Sequence, residues 1–240
     1  MARKSITFWG VRNLFVIFRT RGRIKRSYMF RTRYYLEQLN TQGDDPLIDR
    51  NNIKIAIIDD MEVPYLESLR KSGYNVRHYK DIEDFEILKS YSVIVCDIRG
   101  VGKNFGSKLE GAYIIKEARK LFPEKYIIAM SSAVYKISLT TIIGVADDKI
   151  VRDSDLDRVL NAIDKAVNTM SSNRLRWLRL RDNLLNTHNV DMYDVWLIEQ
   201  DFIAAMLKKD KKRLENSKGI SHVNDMVKGL LVNFISGIIF

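Results

Sequence analysis

Two short apolar runs that each end in acid constrain this chain more than any other feature. Residues 53–60 end in Asp59 and Asp60, and residues 91–97 end in Asp97. Runs of this length, rich in β-branched residues, are expected as buried strands. In an open parallel sheet, groups at the carboxyl ends of neighbouring strands converge on one crevice. Asp59, Asp60 and Asp97 are therefore expected close together, where mutual repulsion calls for a shared cation or proton. An all-oxygen set on a rigid edge suits a hard ion such as Mg2+.

The surrounding sequence alternates in the same sense. Residues 74–79, 126–130 and 149–151 read as further strands. Helices are expected through Leu66, Leu69 and Arg70 up to Gly73, over 81–89, over 111–121 with Pro123 closing it, over 134–143 up to Gly144, and from Asp155 through Val159, Ile163 and Val167. Five strands alternating with helices predict an α/β fold, a doubly wound five-stranded parallel sheet.

On these residues the region 53–168 resembles the receiver domain of bacterial response regulators, an atypical example with a flavodoxin-like fold. The resemblance rests on the Asp59-Asp60 pair, on Asp97 ending the third strand, on the glycine-led helix from Gly111 to Arg119, on Ser131 and Ser132 after the fourth strand, and on Gly144-Val145-Ala146-Asp147-Asp148. It implies phosphoryl acceptance by Asp97 and Mg2+ held by Asp59, Asp60 and Asp97. It also implies that Ser131 hydrogen-bonds the phosphoryl oxygens and Arg152 pairs with them. The donor would be a histidine kinase or phosphotransfer protein. Three positions depart from the family pattern. Arg152-Asp153 replaces Lys-Pro, Lys149 takes the place of an aromatic switch residue, and Arg99-Gly100-Val101-Gly102-Lys103 opens a lengthened loop after Asp97. That loop is not a Walker A motif, because Asp97 and Asn104 stand where a glycine and a Ser or Thr are required. It is expected as a flexible loop over the crevice.

The net charge of +10 is concentrated at one end. Residues 1–36 carry ten Arg and Lys and no Asp or Glu, so the rest of the chain is balanced. Such a block points to a polyanion or membrane surface. Phe8, Val11, Leu14, Phe15 and Phe18 recur at helical spacing and predict an amphipathic helix. The cations that follow, Arg19, Arg21, Arg23, Lys25 and Arg26, are the candidate polyanion-binding residues. With Tyr28, Phe30, Tyr34 and Tyr35 interleaved, they suit nucleic acid or an anionic membrane surface, while plain packing and solvation remain open. Residues 40–52, with Gly43 and Pro46, read as a linker.

Residues 169–240 read as helical. Arg174, Arg176, Arg179 and Arg181 are expected as a solvated face. Val195, Ile198, Phe202, Ala205 and Met206 share a face of a helix that continues through 208–212 and stops at Gly219. Met226, Leu230, Phe234 and Ile238 mark a last helix, suited to core packing or a homodimer interface. The expected organisation is an arm over 1–50, a receiver-like domain over 51–168 and a helical region over 169–240.

No run is long enough to span a bilayer, and no secretory pattern is recognised, so a cytoplasmic location is expected. One cysteine, Cys96, excludes an internal disulfide. His78, His188 and His222 lack metal-ligand spacing. The functional expectation is an atypical signalling regulator acting through Asp97, with at most self-phosphorylation and dephosphorylation as chemistry. The alternative is a phosphorylation-independent binding module. Metal-assisted phosphoester hydrolysis is a third class, since acids alone can serve two-metal chemistry.

Overall fold

A computed structural model of the chain describes residues 13–20, 23–42, 50–131, 144–152 and 154–238. Five parallel strands form the central sheet: β3 (Lys54–Ile58), β4 (Asn75–Tyr79), β5 (Val93–Asp97), β6 (Tyr126–Ser131) and β7 (Asp148–Val151), in the order β4-β3-β5-β6-β7. This order is that of a doubly wound flavodoxin-like sheet, with its topological switch between β3 and β5. The expected fold class is the one observed.

Strict alternation along each strand builds two cores. Ile55, Ile57, Val93, Val95, Ile128, Met130 and Ile150 face α1 (Leu66–Lys71) and α3 (Leu156–Ser171), whose Leu69, Val159, Ile163 and Val167 meet them. Ala56, Ile58, Ile94, Cys96, Ile127 and Ala129 face α2 (Gly111–Leu121) through Ala112, Ile114, Ile115 and Ala118. Burial on both faces explains why the strands read as continuous apolar runs. Asp155 caps α3 by accepting from the Arg158 amide at 3.0 Å, which fixes where the last crossover helix starts.

A third core lies in the C-terminal helices: α4 (Asn173–Asn186), α5 (Met192–Lys208), α6 (Lys211–Glu215), α7 (Lys218–His222) and α8 (Asp225–Ser236). Trp177 stacks on Phe202 at its centre, and Phe234 meets both at a tilt. Leu36 and Leu39, from a 3-10 turn over Leu36–Gln42, are buried in it. Gln200 fastens that turn's approach by accepting from the amides of Arg33 and Tyr34 and donating to the Tyr34 carbonyl.

Five expectations are corrected. The predicted N-terminal helix is, over its described part, an antiparallel hairpin of β1 (Asn13–Thr20) and β2 (Arg23–Arg31). The aromatic and β-branched residues that fit a helical spacing also have high strand propensity, and in so short a segment that propensity prevails. Residues 81–89 are not a helix; only a 3-10 turn over Glu86–Ser90 forms. The loop after Asp97 is not free. Asp81 accepts from the amides of Ile82, Gly102 and Lys103, Glu110 accepts from the Gly100 amide, and Phe105 stacks on Phe85. Helix α5 stops at Lys209, which takes a left-handed conformation, and Gly219 lies inside α7. The arginine run of α4 is not a solvated face. Arg176 is 2% exposed, and Arg181 pairs with buried Glu199 at 2.9 Å. Arg179 reaches the carbonyls of Glu124 and Lys125 and the carboxylate of Asp147. The expected helix over 134–143, and Arg21, lie outside the described residues.

Candidate functional site

The parallel sheet brings Asp59, Asp60, Asp97, Ser131 and Arg152 to the carboxyl ends of four adjacent strands. Asp59 and Asp60 follow β3, Asp97 ends β5, Ser131 ends β6, and Arg152 follows β7. One oxygen from each of Asp59, Asp60 and Asp97 lies within 4.8 Å of the others. Asp59 and Asp97 are buried, at 2% and 6% exposure, while Asp60 faces outward beside Lys103 at 3.8 Å.

The two buried acids are held by the backbone around them. Asp59 Oδ1 accepts from the Met61 amide at 2.9 Å. Asp97 Oδ1 accepts from the Ile98 amide at 2.7 Å and lies 3.5 Å from the Arg99 nitrogen. Gly111 at the start of α2 passes so close that a Cβ there would overlap the Asp97 carbonyl oxygen. Gly100 has φ +78°, and a Cβ on it would meet the Asp60 carboxylate. Both glycines are needed for these close approaches.

Arg152 dominates the electrostatics. Its Nη2 bridges Asp59 Oδ1 and Asp97 Oδ2, the latter at 2.5 Å. The Arg152 amide donates to the Ser131 carbonyl at 2.8 Å, which fixes the guanidinium's base. Burial pushes the Asp97 carboxyl above the ordinary carboxylate range; Arg152 pulls it back, Asp59 adds to the rise, and the Arg99 and Ile98 amides lower it. Partial burial works against the charge on Arg152, but Asp97 and Asp59 outweigh it and hold the guanidinium more firmly protonated. The pair of acids therefore already shares a cation supplied by the chain, as like charges at this separation require.

Two neighbours were not expected from sequence. Tyr65 reaches the rim, its hydroxyl 3.0 Å from Met130 Sδ. Burial first, then Asp59, push its phenol up to about 12. His78 on β4 lies with Nε2 2.8 Å from the Asp59 carbonyl oxygen, so an imidazole does stand near the acids, contacting backbone only. Pairing in register with Ile57 places it there, and that pairing could be anticipated only from the strand order. Cys96 is fully buried, and burial raises its thiol well above the ordinary value. It behaves as a small core residue.

The three carboxylates fit a hard divalent ion by donor type and spacing. Such an ion would compete with Arg152 for the edges of Asp59 and Asp97. The polyanion candidates lie elsewhere: Arg19, Arg23, Lys25 and Arg26 sit on the β1–β2 hairpin. Among the described residues, no helix is long and apolar enough to cross a membrane.

Strand order and acid placement together define a doubly wound, flavodoxin-like domain with an acidic rim, carrying an added helical region. No family model and none of the curated proteins matches the chain. Receiver domains are among the solved structures similar to it. One is a CheY-like response regulator receiver domain protein from Methanospirillum hungatei, with 19% identity, 49% of this chain and 95% of that chain covered, and a TM-score of 0.40. A second is a response regulator from Thermotoga maritima, with 22% identity, 48% and 97% covered, and a TM-score of 0.40. A third is the signal receiver domain of an HD domain-containing protein from Pseudomonas fluorescens, with 14% identity, 51% and 91% covered, and a TM-score of 0.42.

Proposed function

We propose that the chain is a signalling regulator whose receiver-like part, within 51–168, accepts a phosphoryl group on Asp97. The supporting observation is the Asp97 carboxylate at the end of the central strand, ion-paired to Arg152 and within 4.8 Å of Asp59 and Asp60. The helical region over 169–240 would be the part it controls, with the basic N-terminal arm joined to it through the buried Leu36 and Leu39. The donor class is a phosphohistidine on a kinase or phosphotransfer protein.

The chemistry follows from the side chains. The Ile98 amide holds Asp97 Oδ1, so Oδ2 is the oxygen that turns toward a donor. Oδ2 forms the bond to phosphorus, and the bond from phosphorus to the donor nitrogen breaks. The donor imidazole leaves with that electron pair and takes up a proton from solvent. Mg2+ held by Asp59, Asp60 and Asp97 would neutralise charge gathering on the phosphoryl oxygens. Arg152 exchanges its carboxylate partner for a phosphoryl oxygen, a charge-assisted contact of similar strength. Ser131, at the end of β6, would hydrogen-bond another. Asp97 must be ionised to attack, and Arg152 keeps it so against burial.

A phosphorylation-independent scaffold is the second reading. It is favoured by Arg152 bridging both buried acids, since their repulsion is then partly offset without a metal. Titration with beryllofluoride and Mg2+, followed by the amide resonances of Ile98 and Arg99, separates the two. The first reading expects saturable shifts that vanish in Asp97→Asn. Silence in the wild-type chain would leave the scaffold.

A further inference from the structure

The crevice above the sheet has one wall to which phosphoryl transfer has so far assigned no role. Asp97 continues the alternation of Val93 and Val95, so its side chain leaves the sheet on the α1 side. Met130 is its partner in the parallel register and belongs to the same face. Strand spacing sets the two backbones about 5 Å apart. Tyr65 reaches Met130 from the entry to α1, its hydroxyl donating to Sδ at 3.0 Å. The first turn of the helix fixes the base of that side chain, because the Tyr65 carbonyl accepts from the Leu69 amide at 3.0 Å.

A thioether is a weak acceptor, and a largely buried phenol ordinarily finds a better one. Burial first, then Asp59, with Asp97 adding and Arg152 opposing, push this phenol up to about 12. The hydroxyl therefore keeps its proton and stays a donor near neutral pH, and it feels both buried acids and their guanidinium. Arg152 repeats the arrangement. Its Nη1 donates to Met61 Sδ at 2.7 Å while Nη2 holds the acids. Two donors beside Asp97 thus rest on sulfur. A phosphoryl group brings three strong acceptor oxygens, and a charge-assisted bond to one of them is about twice as strong as a neutral bond. Exchange away from sulfur is then favourable.

We propose that the Tyr65 hydroxyl leaves Met130 Sδ and donates to an oxygen of the phosphoryl group carried by Asp97. This role rests on phosphoryl acceptance by Asp97. It adds the entry to α1 to the phosphoryl site and gives that helix a contact formed only in the modified state.

The test is NMR of the full chain, isotope-labelled at the methionine methyls, with beryllofluoride and Mg2+ as the probe. Met130→Leu identifies the Met130 resonance. In wild type that resonance should move on saturation, because the hydroxyl leaves the sulfur. In Tyr65→Phe, which keeps the ring, it should start away from its wild-type position and move little. Beryllofluoride affinity, read from the Ile98 amide, should fall roughly tenfold in Tyr65→Phe, the loss of one donor to a charged group. Met130→Leu removes only the resting partner and should bind at least as tightly as wild type. A wild-type chain silent at Ile98 removes phosphoryl acceptance and the role of Tyr65 with it. An Ile98 response abolished by Asp97→Asn, but with a stationary Met130 methyl or with Tyr65→Phe binding within twofold of wild type, leaves acceptance standing and overturns the role of Tyr65 alone. So does a tenfold loss in Met130→Leu.

Discussion

Replacing Arg152 with alanine tests the electrostatic logic of the acid rim. Asp59 and Asp97 are buried, and their nearest oxygens lie within 4.8 Å of each other and of Asp60. Two unit charges at that separation repel by about 3.5 kcal/mol at an effective dielectric of about 20. In the intact chain one guanidinium nitrogen touches both acids and offsets this repulsion. Breaking a fully buried pair by removing one partner costs about 3–5 kcal/mol. The Arg152 side chain is one quarter exposed, so water recovers part of that, and a loss of about 2–3 kcal/mol is expected. For a chain of this size that is a fall in melting temperature of roughly 8 °C. The same substitution removes the competitor for a divalent ion. Ten times the dissociation constant of Mg2+ should then restore about 1.4 kcal/mol, or roughly 4 °C, with a smaller rise in wild type. The assay is thermal unfolding of both proteins with and without millimolar MgCl2. An Arg152→Ala variant that melts within a degree or two of wild type and ignores Mg2+ would refute the reasoning.

Three other outcomes are expected. Gly111→Ala places a Cβ against the Asp97 carbonyl oxygen, backbone that cannot rotate away, so a loss of about 3 kcal/mol or more in urea unfolding is expected. Burial holds the Glu124 carboxyl above the ordinary carboxylate range, against the pull of Lys125 and Arg176, so its contribution to stability is full below the unfolded-state pKa and is lost as pH rises through the raised folded value. The melting temperature of wild type should therefore gain on that of Glu124→Gln as pH falls from about 8 toward 5, and parallel curves would count against a charged, buried Glu124. Arg179→Ala removes the ties from α4 to Asp147 and to the carbonyls of Glu124 and Lys125, and about 2 kcal/mol of stability should go with them, measured by denaturant unfolding.

Much of the sheet was legible because its strands are buried on both faces, and apolar runs such as 53–58 and 93–96 have little else to become. The acid rim followed from strand polarity alone, since every crossover returns the chain to the same end. What the sequence hid lies in pairings that no local pattern carries. Arg176, Arg179 and Arg181 look like a solvated stripe until Asp147, Glu199 and the carbonyls of Glu124 and Lys125 are brought to them from other elements. Asp81 looks like a helix start, but its carboxylate is taken up by the amides of a loop twenty residues away. The hairpin was misread because Leu14, Phe15 and Phe18 fit both periods over so few residues. That Arg152 would bridge both buried acids was not foreseen; the resemblance paired it with phosphoryl oxygens.

The interface between the sheet and the C-terminal helices sits at the end opposite the acid rim. Glu124, Lys125 and Asp147 precede β6 and β7, and α4 docks there. Neither Glu124 carboxylate oxygen has a hydrogen-bond partner among the described residues, and Arg176 leaves Nε and Nη1 unpaired nearby. Burial lowers Lys125 to about 8, although its ammonium reaches the carbonyls of Leu88 and Lys89. A seam with this many incompletely matched charges contributes less than an apolar one of the same shape.

Phosphoryl acceptance itself is most directly read by covalent mapping. The full chain is incubated with Mg2+ and a small acyl phosphate, reduced with borohydride and digested, so that an acyl phosphate on aspartate is converted to homoserine. Homoserine at position 97 alone, absent from Arg152→Ala and Asp97→Asn, is the predicted result. An unmodified Asp97 in the wild-type chain, or homoserine at 59 or 60, would contradict it.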